Sequence, residues 1–403
     1  MNTVTPTPAP AAVATAASGR LSNGAALWLT SSIVVMFLAA SSAPSPLYAL
    51  YREAWGFSAL TLTLVFSSYA FALLGALLVF GRLSDHVGRR EVILGALLLE
   101  FASVVLFWQA RSVEWLFAAR IVQGVATGIA TSVLSAMLLD LDRVRGAFIN
   151  SVTPMFGMAL GALGTSLLVQ FAPAPTVLVY EVLLAVFAVQ IAFAWRLPDT
   201  VSRQAGAWRS LVPQVAVPPA ARSTLLRVLP SNTAQWALGG FYLSLGPTLA
   251  RQVTDTTAPV VGGALIATLV LSGAVAIALV RNRSPRDVLE LGALGLAVGL
   301  AVTLGGVVSH SAGLLFSGTL IAGLGFGSGF NGSVRSLAPL AAPHERGALM
   351  SSFFAASYLA FAVPAIVAGL FVGYFGLKAT AIGYAAVLVT LAAVAFAGMR
   401  RGR

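Results

Sequence analysis

The chain has no cysteine, which excludes disulfides, thiolate metal sites and cysteine nucleophiles. Its three histidines, His86, His310 and His344, all fall in predicted loops, so neither a histidine metal cluster nor an intramembrane histidine relay has support. Charge is the scarcest property of all. Only 9% of residues are Asp, Glu, Lys or Arg, where a soluble chain carries about a quarter. No paired catalytic acids, no HExxH and no nucleophile-base pair can be found, so an enzyme is not expected. No nucleotide-binding loop appears either, and any work the protein does must be drawn from a gradient. Neither a metal nor another cofactor is expected. The basic balance, +11 overall, would suggest nucleic acid in a soluble protein. Here the arginines lie between apolar runs and set topology instead.

What the chain does have is hydrophobicity: 58% apolar residues and a mean hydropathy of +0.90 over 403 residues. Runs long enough to cross a bilayer recur at about 26–50, 57–80, 91–110, 113–139, 146–171, 175–196, 225–250, 259–280, 288–308, 312–338, 347–373 and 378–399. These twelve spans predict an all-α polytopic membrane protein. With both termini in the cytoplasm, eighteen of the 24 basic residues fall inside and four outside, which fixes the orientation. Residues 1–24, rich in Ala, Pro and Thr, read as a disordered cytoplasmic tail without the features of a cleavable signal peptide. Residues 25–197 form a first six-helix half and 225–399 a second. The polar stretch 198–224, with Pro198, Pro213, Pro218 and Pro219, is the cytoplasmic linker, and 400–403 are a short cytoplasmic tail.

The halves repeat. Shifting the chain by 201 residues places Gly124, Gly128, Ser132 and Ser135 on Gly325, Gly329, Ser333 and Ser336 without a gap. The match runs on into the next loop, where Arg145-Gly-Ala meets Arg346-Gly-Ala, and Pro46 meets Pro247. A parallel repeat of six spans is a transporter architecture.

Between the second and third spans lies Gly81-Arg-Leu-Ser-Asp-His-Val-Gly-Arg-Arg90. Gly81 and Gly88 suit a sharp reversal and close helix approach. Asp85 can accept hydrogen bonds from a neighbouring helix's first amides, while Arg82, Arg89 and Arg90 are held on the cytoplasmic side. This spacing is similar to the signature between helices two and three of the major facilitator superfamily, and the resemblance covers about residues 26–399. It implies two six-helix halves related by a pseudo-two-fold axis and alternating access by a rocker switch. It also implies a conformational latch at Gly81, Asp85, Gly88, Arg89 and Arg90, engaged when the cytoplasmic side is closed. Asp140, Asp142, Arg143 and Arg145 end span four at the same face, where they can pair with that loop.

Span four carries Arg120-Ile-Val-Gln-Gly124, and Arg120, Gln123, Thr127 and Thr131 share one helix face. A guanidinium inside a span points into a water-filled cavity or at a partner, or else snorkels to the interface. The pattern resembles the fourth-helix motif of proton-coupled facilitators, in the twelve-helix drug/proton antiporter-like branch, which implies a part for Arg120 in proton transfer. The intramembrane acids are Glu100, roughly 15 Å past Arg90, and Glu181. Span one has no acid, where many such antiporters keep one, and span five lacks their Gly-Pro pair. Gly124, Gly128, Gly157, Gly161, Gly325 and Gly329 are candidates for close helix packing. Prolines break spans one and seven and free carbonyls that must find partners. Helices one, four, seven and ten line the cavity in the resembled fold, which makes Tyr48, Gln123, Asn232, Gln235, Trp236 and Asn331 the cavity candidates.

The expected activity is proton-coupled export of small organic or drug-like molecules by a monomer in the plasma (inner) membrane, its partners being the substrate, protons and the lipid bilayer. The alternative is an uptake symporter or facilitator for a sugar or metabolite. A non-transporting sensor or assembly protein on the same fold is the competing class, without a soluble regulatory domain to favour it.

Overall fold

The computed structural model describes residues 19–342 and 344–401. The expected N-terminal tail lies outside the described residues up to residue 18, and the C-terminal one at 402 and 403. Among the described residues there is no strand. This follows from the solvent, since in hydrocarbon only a helix satisfies its own backbone along a single span.

The first half is built from α1 (Asn23–Ser42), α2 (Pro44–Trp55), α3 (Ala59–Phe80), the single turn α4 (Ser84–Val87), α5 (Arg89–Trp108), α6 (Val113–Leu141), α7 (Arg143–Phe171) and α8 (Pro175–Ala194). The linker contains α9 (Ala207–Ser210). The second half follows with α10 (Pro219–Ser244), α11 (Gly246–Val253), α12 (Pro259–Val280), α13 (Pro285–Ser309), α14 (Ala312–Leu337) and α15 (Arg346–Arg401). Among the described residues ten stretches are helical and apolar enough to span, with α1 and α2 counted together. Two more complete the expected twelve. α15 is two spans meeting at Gly376, whose φ of 79° interrupts the helix. α10 with α11 is the seventh, less apolar because it carries Arg222, Arg227, Asn232 and Gln235.

Spans one and seven are both broken, at Pro44 and at Gly246-Pro247. Proline has no N–H to return to the carbonyl four residues back, so Pro44 leaves the Ala40 carbonyl without a helical partner. The turn 81–90, the 140–145 loop and the linker lie on one face of the molecule, called here the turn face. Leu21 N–H donates to the Arg196 carbonyl (2.9 Å) and Arg286 to the Met399 carbonyl (3.0 Å), which brings both chain ends to that face as well.

Glycine lets the helices touch. A Cβ on Gly124 would stand 2.7 Å from the Ala72 Cβ, and one on Gly128 2.8 Å from the Ala76 Cβ, so α6 lies directly on α3. Gly157 and Gly161 bring α7 against Val35, Leu38 and Ala39 of α1, and Gly325 brings α14 against Gly292 and Leu296 of α13. Gly128→Leu is therefore expected to destabilise the protein by about 1–3 kcal/mol through overpacking. Thermal unfolding in detergent measures this. Gly164→Leu is the control, since a Cβ there meets nothing within 4 Å.

The halves meet along α7 with α12 and α3 with α15. Ser67 Oγ donates to the Ala362 carbonyl (3.2 Å), Phe66 packs on Phe361 with centroids 5.0 Å apart, and Val260 N–H reaches Gln170 Oε1 (3.3 Å). Gly263 lies against Ala162 and Ser166, and Gly369 against Thr63. These contacts lie from mid-height to the face opposite the turns, and α7 and α12 continue the seam towards the turn face through Val152, Met155, Ala274 and Ile277.

Candidate functional site

The buried charged residues among those described are Arg89, Glu100, Arg120 and Glu290. Two of them belong to one network at the centre of the first half. Arg120 is 0% exposed, so it does not snorkel. Its Nε donates to Tyr48 Oη (2.6 Å), and its Nη1 donates both to the Ser41 carbonyl (2.8 Å) and to Gln123 Oε1 (2.7 Å). The guanidinium also lies 5.4 Å from the ring centroids of Tyr48 and Tyr69 and 5.7 Å from that of Phe107. Charge-assisted bonds of this kind are worth roughly 1.5–3 kcal/mol each, and they fix the broken end of span one onto α6.

Gln123 extends the network in two directions. Its Nε2 donates to the Ala40 carbonyl (3.2 Å), the one Pro44 leaves unpaired, and to Glu100 Oε1 (3.1 Å). Glu100 is also 0% exposed. The line from α5 through α6 to the hinge of α1 is thus Glu100, Gln123, Arg120, Tyr48. Two atoms of it have no partner, Glu100 Oε2 and Arg120 Nη2. An acid with a buried, unpaired oxygen beside an arginine has a place for a proton. Glu181 stands apart from this network and is exposed on α8, although its neighbour Tyr180 is buried and bonded to Tyr51 Oη (3.1 Å).

In the second half, Asn232 and Gln235 are buried on α10, and Asn331 is half-buried on α14. Asn232 Nδ2 donates to Ser357 Oγ (2.9 Å) and Gln235 Nε2 to Ser231 Oγ (3.0 Å). Gly329 leaves room for the Gln235 amide, which a Cβ would strike. Trp236 packs among Tyr358, Phe361 and Phe330, at 4.9, 5.8 and 6.0 Å between centroids. These last three rings did not stand out in the sequence, where each lies in an apolar run. The signal that was present is Phe354, Tyr358 and Phe361 at helical spacing on one face.

At the turn face Arg89 Nη1 pairs with Asp85 (2.7 Å) and donates to Ser84 Oγ (2.6 Å), and its Nε pairs with Asp140 (3.2 Å). Gly88 has a φ of 115° and supplies the reversal, whereas Gly81 is in the right-handed helical region. The first amide of α5 is capped by Asp199 Oδ1 (3.1 Å) rather than by Asp85. Asp199 lies 110 residues away in sequence, which hid it from local reading. Arg90 and Arg203 both reach Glu91 Oε1, at 2.9 and 2.7 Å. Every named partner of this turn belongs to the first half or the linker, so the pairs form without any contact to the second half. The linker is tied at both ends: Thr200 Oγ1 donates to Asp140 (2.7 Å), and Ser352 Oγ of α15 donates to the Ala216 carbonyl (3.1 Å).

The family profile described as Major Facilitator Superfamily matches residues 29–283. No curated protein sequence matches the chain. Among solved structures, a variant of the nucleoside transporter NupG is similar at TM-score 0.74 and 14% identity, over 94% of this chain and 100% of that one. A bacterial homolog of the human lysosomal transporter Spinster, inward-facing and occupied, gives 0.72 and 14% over 94% and 97%. The human organic anion transporter MFSD10 gives 0.65 and 18% over 93% and 100%.

Proposed function

The chain belongs to the Major Facilitator Superfamily and is a transmembrane transporter rather than an enzyme, and from that premise we propose that it exchanges protons for small organic molecules, exporting them across the plasma membrane. The observation that carries this reading is the buried line from Glu100 through Gln123 to Arg120. Glu100 holds a proton at its unpartnered Oε2. When Glu100 is ionised, its charge offsets that of Arg120; when it is protonated, the arginine charge must be met by Tyr48, the Ser41 carbonyl and the surrounding rings alone. Arg120 holds the hinge of span one, so the two protonation states favour different placements of α1 and α2 against α6. A rocker-switch motion of the halves follows from that difference.

Both termini face the cytoplasm in this reading. The 81–90 turn, whose pairs form within the first half and the linker, serves in this reading as a brace of the first half. The test uses proteoliposomes under an imposed pH gradient, recording lumenal pH as compounds are added. Compound-dependent proton movement is expected. Substrate flux without proton movement would reduce the activity to facilitated diffusion.

A further inference from the structure

We propose that the groove between the 81–90 turn and the linker is a binding site for a phosphate group, borne by a soluble ester or by an acidic lipid headgroup. The site does not depend on the direction or the coupling of transport.

The groove holds about 360 Å³, with Arg82, Asp85 and His86 on the turn and Thr200, Ser202 and Gln204 on the linker. Its two walls are fastened to each other. His86 Nδ1 lies 3.3 and 3.2 Å from the Gln204 and Ala205 carbonyls, and since a carbonyl can only accept, this nitrogen carries the ring hydrogen. Nearby, Asp199 Oδ1 accepts from the Arg89 N–H (3.1 Å), and Thr200 Oγ1 donates to Asp140 (2.7 Å). The space is therefore held open by fixed backbone.

Both walls carry unpaired donors. Among the described residues the Arg82 guanidinium and the side chains of Ser202 and Gln204 have no protein partner. Asp85 is the acid of the lining, and Arg89 Nη1 already meets it at 2.7 Å. A cation would find that carboxylate paired and Arg82 opposing it. A neutral sugar would use the hydroxyl and the amide but leave the guanidinium unmet. A carboxylate offers two oxygens in one plane, whereas a phosphate offers three that diverge, so it can pair with a guanidinium on one wall and still reach the other.

Bound there, a phosphate joins Arg82 of the first half to the linker, whose far end is tied to α15 through Ala216 and Ser352. Occupancy would hold that strap to the first half. On the adjoining α9, Trp208 is 86% exposed and stands next to the exposed Arg209, a pairing suited to a headgroup boundary. The lipid source is therefore tested beside the soluble one.

Calorimetry on the full-length protein, freed of lipid in a neutral detergent at constant ionic strength, compares glycerol 3-phosphate, glycerate and dihexanoyl phosphatidic acid. A phosphate is expected to bind about tenfold tighter than glycerate. Arg82→Gln is expected to weaken it about tenfold, the loss of one charge-assisted contact. Arg209→Gln, which changes an exposed arginine of the same linker outside the groove, is expected to leave it unchanged. Hydrogen exchange over 200–206 is expected to slow with phosphate bound. Binding of glycerol 3-phosphate would assign a soluble ester and binding of phosphatidic acid alone a lipid headgroup, and both sustain the site. Glycerate binding as tightly as the phosphates, no binding of either phosphate, equal losses in Arg82→Gln and Arg209→Gln, or unchanged exchange over 200–206 would each overturn it.

Discussion

Arg120→Ala is expected to abolish proton-coupled transport and to destabilise the protein by about 3–5 kcal/mol, through loss of charge-assisted hydrogen bonds worth roughly 1.5–3 kcal/mol each. The side chain is fully buried and bonds Tyr48, the Ser41 carbonyl and Gln123 together. Its loss leaves the hinge of span one without its anchor. Arg120→Lys separates these effects. An ammonium keeps the charge but cannot serve three acceptors in one plane as the guanidinium fork does. That variant is expected to retain most of the stability, as read by thermal unfolding in detergent, while its proton movement in proteoliposomes falls. Full coupling in Arg120→Lys would mean that charge alone is enough and the hinge bonds are incidental.

Glu100→Gln is expected to have the opposite profile, with stability preserved and coupling lost. The amide fits the same space and still accepts from Gln123 Nε2, now 3.1 Å from Glu100 Oε1, but it cannot take up a proton. A pH gradient of two units can sustain about a hundredfold concentration ratio for each proton exchanged. In the variant that ratio is expected to fall to one, while exchange of labelled for unlabelled substrate without a gradient continues. Accumulation in Glu100→Gln at the native level would move the proton site elsewhere.

Much of the architecture is legible in the residues. The twelve spans, the breaks at Pro44 and Pro247 and the reversal at Gly88 each follow from local chemistry, because helix length and proline act within one turn. The partners are another matter. Glu100 is legible only as an acid deep within a span, and it is the rotation of α5 about its axis that turns it onto Gln123. Asp199 caps α5 from across the linker boundary, a contact with no trace in the spacing of either segment. The ring cluster around Trp236 was hidden for a reason peculiar to membranes. Lipid and core are both apolar, so a phenylalanine facing a substrate space and one facing lipid leave the same mark in the sequence.

The most direct test of the central claim measures protons released when substrate binds to the detergent-solubilised protein in weak buffer, in wild type and Glu100→Gln. If Glu100 carries the exchanged proton, wild type releases protons on substrate binding at a pH where the site is protonated, and Glu100→Gln binds the substrate and releases none. Undiminished release from Glu100→Gln would contradict the account.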